Sequence, residues 1–160
     1  MNPTMTNKGM QEAIKYYADH PVKFINKFLK AEPTDQQKDV LNAMNESIEK
    51  GLSIAVKSGH GTGKTCMMSW IIIWFMFTRP FPRIVCTAPT ARQLYDVLWA
   101  ELSKWYQDNP LFADMFDWTS TRFSSRVYPK NWFASARTSN KPEAMAGIHG
   151  EHVLYLIDEA

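Results

Sequence analysis

Lys64 and Thr65 follow three glycines, Gly59, Gly61 and Gly63, in the run SGHGTGKT at residues 58–65. Each residue type there suits a phosphate. Glycines let the backbone take positive φ and approach a ligand, so that successive N–H groups can point inward. A lysine can reach the outer phosphates of a triphosphate, and the hydroxyl after it can hold a divalent cation. The run ends as the phosphate-binding pattern G-x-x-x-x-G-K-[ST] ends, with Ser58 in place of the first glycine. That position is where the chain enters the loop, far from the transferred phosphate, so a small side chain fits. The predicted nucleotide-binding set is Ser58, Gly59, His60, Gly61, Thr62, Gly63, Lys64, Thr65 and Cys66, with Gln37 upstream.

A second group carries the complementary chemistry. LYLIDEA, residues 154–160, places Asp158 and Glu159 after four apolar residues. The C-terminal ends of buried parallel strands form the rim where ligands bind. An aspartate there can hold the water shell of Mg²⁺, and Glu159 can orient and deprotonate an attacking water. The expected cofactors are therefore ATP and Mg²⁺, with Thr65 and Asp158 as the metal set and Lys64 and Glu159 as the catalytic pair. Gln37 supports two readings. Its amide donates and accepts at once, which matches the N6/N7 edge of adenine. It also stands three residues after Thr34, where it would close a capping box. TAPT, residues 87–90, could bind DNA phosphates through its hydroxyls or serve as an ordinary strand-to-helix turn with an N-cap.

These residues need a frame of strands that deliver them to one rim. The sequence predicts a helix over residues 11–30, interrupted at Pro21. A second helix opens at Pro33 and Thr34, carries Val40, Leu41, Met44 and Ile48 as its apolar stripe, and ends at Gly51. Residues 52–56, LSIAV, predict a buried strand leading into the glycine loop. Residues 64–77 predict a helix that is apolar nearly all round and so covered on both sides. A strand is expected over residues 83–89 and an amphipathic helix over 90–105. Residues 119–138 read as a hairpin of short strands, 141–152 as a loop or short helix, and 153–158 as a final buried strand. Strand and helix alternate, which predicts an α/β fold with a parallel sheet.

Bulk properties bound the function classes. With 160 residues, 45% of them hydrophobic, the chain can bury one core. A net charge of +2 neither demands nor excludes a nucleic-acid partner. Cys66 and Cys86 lie in no C-x-x-C or Cys/His cluster, so no zinc site is expected and both are read as reduced. His149 and His152 lack a third ligand nearby. The N-terminus has no apolar core of a signal peptide. The longest apolar run, residues 67–77, is well short of the roughly 20 residues that span a bilayer. A soluble, cytoplasmic protein is expected. Phe123, Tyr128, Trp132 and Phe133 alternate with basic residues, as on a stacking surface for single strands. Inward packing is the stronger expectation for aromatics on short strands.

Taken together, SGHGTGKT, TAPTARQLYDVLW and NKPEAMAGIHGEHVLYLIDEA resemble the ATPase domain of phage terminase large subunits. The resemblance runs from about Pro33 to Ala160. Its most specific part is the run from Pro142 and Glu143 through Gly147, Ile148 and His149 into the acidic strand end. It implies a P-loop NTPase fold of the RecA-like, additional-strand class, ending just after the Walker B strand. Residues 1–32 would form an N-terminal helical segment and residues 33–160 a partial ATPase domain, with the C-terminal nuclease domain of the family absent from this chain. It also implies a ring-forming motor in the host cytoplasm that moves double-stranded DNA into a procapsid, with the portal protein and small terminase subunit as partners. On this reading Lys64 and Thr65 bind phosphate and Mg²⁺, Asp158 holds the metal, Glu159 is the base and Gln37 reads adenine. One position departs from the family. Many members carry an arginine four residues before the lysine, where this chain has His60. Lys57, or an arginine such as Arg122, Arg126, Arg137 or one from a neighbouring subunit, would have to stand in. A superfamily-2-type helicase fragment shares the glutamine, the TAPT-like segment and the acid pair. A non-catalytic DNA- or portal-binding module with an inactive loop is a further alternative.

Overall fold

Thr34 shows how locally the architecture is written. Its side-chain oxygen accepts from the Gln37 backbone N–H at 3.3 Å, and Gln37 Oε1 accepts from the Thr34 N–H at 2.9 Å. This reciprocal pair opens helix α3, Asp35–Lys50. Gly51 closes it at φ 66°, with its own N–H and that of Leu52 returned to carbonyls of the last turn. The computed structural model describes residues 7–59, 61–138 and 147–158. Before α3 come α1, Asn7–Asp19, and α2, Pro21–Phe24, which runs on as a π-helical turn over Ile25–Leu29. Pro21 sits in the first turn of α2, where its missing N–H costs nothing. The break expected at Pro21 is thus a helix start.

Helix α4, Lys64–Thr78, is the spine. Eleven of its fifteen residues are buried, as its all-round apolarity requires. On one flank the Trp74 indole N–H donates to the Tyr17 carbonyl of α1 at 2.8 Å. On another, the Trp70 and Trp105 rings meet edge to face at 5.7 Å. Residues 79–82 reverse the chain into strand β1, Arg83–Thr87. A π-helical stretch, Gln93–Trp99, continues into α5, Ala100–Gln107, and α6, Pro110–Met115, follows. Then come β2, Phe116–Trp118, β3, Arg122–Ser125, β4, Phe133–Ala136, and β5, Val153–Ile157.

The five strands form one sheet in the order β2-β3-β4-β1-β5. β1 runs parallel to both β4 and β5, with Cys86 opposite Ala136 and Leu156. β2 and β3 add an antiparallel edge. Ile84, Cys86, Ala134, Ala136, Leu154 and Leu156 alternate onto the face that packs against the helices. The α/β class, the helix at 64–77, the strand after it and the hairpin therefore stand as expected. β2 and α6 were not anticipated. Of the four aromatics read as a stacking surface, Phe123 and Phe133 are buried, and Trp132 donates its indole N–H to the Met76 carbonyl at 2.9 Å. Tyr128 alone is well exposed.

Two expectations need correction. Residues 52–56 form no strand, and Leu52, Ile54 and Val56 are 62%, 39% and 42% exposed. A short apolar run becomes a strand only where a neighbour supplies backbone partners, and none of the five strands pairs with it. β5 is a strand but not a buried one. It lies at the sheet edge with Tyr155 and Ile157 exposed on the face away from the helices.

Candidate nucleotide site

The glycine loop leads straight into α4. Gly61 and Gly63 take φ of 74° and 80°, the left-handed region that glycine adopts without strain. Gly63 is the N-cap of α4, and its carbonyl accepts from the Met67 N–H at 3.0 Å. Thr62 Oγ1 donates to the Gly59 carbonyl at 3.0 Å and lies 2.9 Å from Ser58 Oγ, so small hydroxyls brace the turn from within. Lys64 folds back across the loop and donates from Nζ to the Ser58 carbonyl at 3.3 Å. Ser58 thus supplies a backbone acceptor that spans the loop mouth, a role that its substitution for glycine does not disturb.

Gln37 ties this loop to α3. Its Nε2 donates to the Gly63 carbonyl at 3.1 Å while its Oε1 caps Thr34. The capping box read from the sequence is formed, and both polar atoms of the amide are engaged. The N-termini of α3 and α4 consequently converge on one cleft of about 460 Å³. It is lined by Thr34, Asp35, Gln36 and Gln37 on one wall and Gly61, Thr62 and Gly63 on the other. A smaller cavity beside it is bounded by Val56, Ser58, Lys64 and Met67 together with Gln36 and Gln37. Two helix N-termini present free backbone N–H groups and the positive ends of their dipoles, a setting for an anion. The Asp35 carboxylate occupies the α3 end, so the phosphate-compatible end is that of Gly61, Gly63 and Lys64. Of the α3 wall only Gln37 was expected at the site; Thr34, Asp35 and Gln36 were not, because Thr34 reads as a helix cap. Their signal was a second helix N-terminus close upstream of the loop.

The other predicted residues fall as follows. Thr65 lies in the first turn of α4 and is half-buried. Cys66 turns its thiol toward Glu101 of α5, leaving only its backbone for a ligand. Asp158 follows β5, and its N–H donates to the Thr87 carbonyl at 2.9 Å. Parallel pairing puts the ends of β1 and β5 at one rim, and the reversal at residues 79–82 brings the start of α4 to the same end. Asp158 shares that rim but does not line the cleft. His60, Glu159, Pro142 and Glu143 lie outside the described residues. Within TAPT, Thr90 caps the following helix by accepting from the Gln93 N–H at 3.1 Å. Thr87 Oγ1 is buried without a hydrogen-bond partner among the described residues. The arginines separate by position. Arg126 pairs with Asp117 at 3.1 Å in the β3–β4 turn, at the opposite end of the sheet. Arg137 follows β4 and donates its backbone N–H to Cys86 at the ligand rim. Arg122 rests over the Phe133 ring at 4.0 Å. Among the described residues no cluster of three metal-ligating side chains occurs, and no helix is long and apolar enough to cross a membrane.

Both thiols are free. Burial, then the Glu101 carboxylate, pushes Cys66 up to about 11, and burial pushes Cys86 up to about 12. An ordinary thiol titrates near 8.5, so at pH 8 iodoacetamide should alkylate the folded chain about a hundredfold or more slowly than the urea-unfolded chain. Equal rates would show that the thiols are not buried. Because the folded values are raised, their contribution to stability is complete below about pH 8.5 and falls as pH rises above it.

No family model matches the chain. Over 135 residues, 80% of the chain, it is 34% identical to a protein of Enterobacteria phage P7 described as a probable terminase, large subunit. The chain belongs with the phage terminase large subunits. It spans 26% of that relative's length. The HK97 bacteriophage large terminase has the same fold over 88% of this chain and 37% of its own, with a TM-score of 0.66 at 15% identity. The terminase resemblance read from the motifs is thereby established, and with it the α/β frame of this part of a terminase large subunit.

Proposed function

We propose that this chain is the ATP-hydrolysing part of a phage terminase large subunit, whose full-length protein drives double-stranded DNA into a procapsid and cuts it with a separate nuclease domain. The observation that carries the reading is the convergence of two helix N-termini on one cleft, with Lys64 bridging the mouth of the glycine loop. A triphosphate gives Lys64 a better acceptor than the Ser58 carbonyl, because a charge-assisted contact is roughly twice as strong as a neutral one. Loop N–H groups from Gly59 to Cys66 take the remaining phosphate oxygens. The Thr65 hydroxyl and the Asp158 carboxylate would hold Mg²⁺, which neutralises phosphate charge. Glu159 accepts a proton as water attacks the terminal phosphorus and the bond to the ADP oxygen breaks. Partners on this reading are DNA, the portal protein, the small terminase subunit and further copies in a ring, in the host cytoplasm at the procapsid.

Calorimetric titration of the chain with ATP tests the reading. ATP should bind in the presence of Mg²⁺ and bind more weakly once EDTA is added. Heat of dilution alone, with and without Mg²⁺, would overturn it.

A further inference from the structure

We infer that Gln37 is a positioning residue that sets the phosphate loop. The inference rests on the nucleotide reading above and goes beyond it. Gln37 is buried, with 8% exposure. Its two polar atoms have partners that fix the amide's orientation: an N–H can be satisfied only by Oε1, and a carbonyl only by Nε2. The partners are the Thr34 N–H and the Gly63 carbonyl, one on each helix N-terminus. The Gly63 carbonyl also receives the first backbone bond of α4. One side chain therefore joins the cap of α3 to the cap of α4 and holds the turn between Gly61 and Lys64. The fit is close. A Cβ on Gly63 would lie 2.6 Å from Gln37 Nε2, so the glycine is required by the amide as well as by its positive φ. An amide so engaged keeps one N–H and one oxygen lone pair, but both polar atoms are tied to the two helix caps and the residue is buried. The neighbouring Gln36 lines the same cleft and is exposed.

The test separates cap, latch and base reader. Gln37→Glu keeps an oxygen for the Thr34 N–H and suits a helix N-terminus, but it sets a carboxylate against the Gly63 carbonyl. Gln37→Met removes both polar contacts without adding charge. Binding of ATP, GTP and pyrophosphate with Mg²⁺ is measured for each variant and the parent chain, alongside the thermal midpoint. Both variants should weaken all three ligands by a similar factor, about three- to tenfold for Met, with Glu leaving the midpoint unchanged. A loss confined to ATP would make Gln37 the base reader and overturn the inference. Unchanged binding of all three would reduce it to a helix cap and overturn it equally. If the parent chain bound none of them, the failure would lie with the nucleotide reading itself.

Discussion

Lys64→Ala should abolish the rise in thermal midpoint that Mg²⁺ and ATP give the parent chain. The ammonium group is the fixed cation that the loop carries to the cavity beside the cleft, and it now rests on a neutral carbonyl 3.3 Å away. A hydrogen bond from a charged group contributes about 1.5–3 kcal/mol, which corresponds to about ten- to hundredfold in affinity. Ligand at a hundred times its dissociation constant stabilises a protein by about 2.7 kcal/mol. A hundredfold weaker site at the same concentration gives only about 0.4 kcal/mol, within the error of the measurement. The unliganded midpoint should barely move, since Lys64 is half-exposed and makes one neutral contact. A variant that retains the full ATP-dependent rise would remove the main support for an ATPase.

Trp74→Ala should cost about 3–5 kcal/mol of unfolding free energy in urea. The ring is wholly buried on α4, its N–H satisfies the Tyr17 carbonyl and the Arg79 guanidinium stacks 4.1 Å from its centre. Truncation therefore leaves a cavity, takes from the Tyr17 carbonyl the shorter of its two N–H contacts, and leaves the half-buried Arg79 with the Phe75 ring alone. Burial already lowers the Arg79 pKa to about 10, so its poorly hydrated charge gains from the ring it stacks on. Against a typical total of about 5–15 kcal/mol, the loss is roughly a fifth or more of the stability. Leu111→Ala, at a side chain 42% exposed, is the control and should cost far less. Equal small losses for both variants would mean that α4 is not the spine.

The readable parts of this protein were those whose causes are local. Thr34, Gln37 and Gly51 announce a helix because each cap is made by residues within a few positions of the end it closes. The glycines of the loop announce their own backbone angles. The apolar run in α4 announces a helix covered on every side. What could not be read depends on partners distant in the chain. Residues 52–56 have the composition of a strand, but a strand exists only where a second backbone meets it. β5 has the composition of a buried strand, but four apolar residues cannot say whether one face or both are covered. The bond from Gln37 to Gly63 spans 26 positions and leaves no periodic trace. For the same reason only Gln37 of the α3 wall was expected at the cleft, while Thr34 read as a helix start and Asp35 and Gln36 gave no sign.

A helix without a polar face has a history as well as a place. When α4 leaves the ribosome, α1 is already available to one flank, while β1 and α5 have yet to be made. For that interval a greasy rod stands half-clothed in water, and any chaperone or exposed sheet edge nearby competes for it. The nascent chain can end this exposure only when its later segments dock as a group, so the first moment at which the phosphate loop has a firm seat comes late in synthesis.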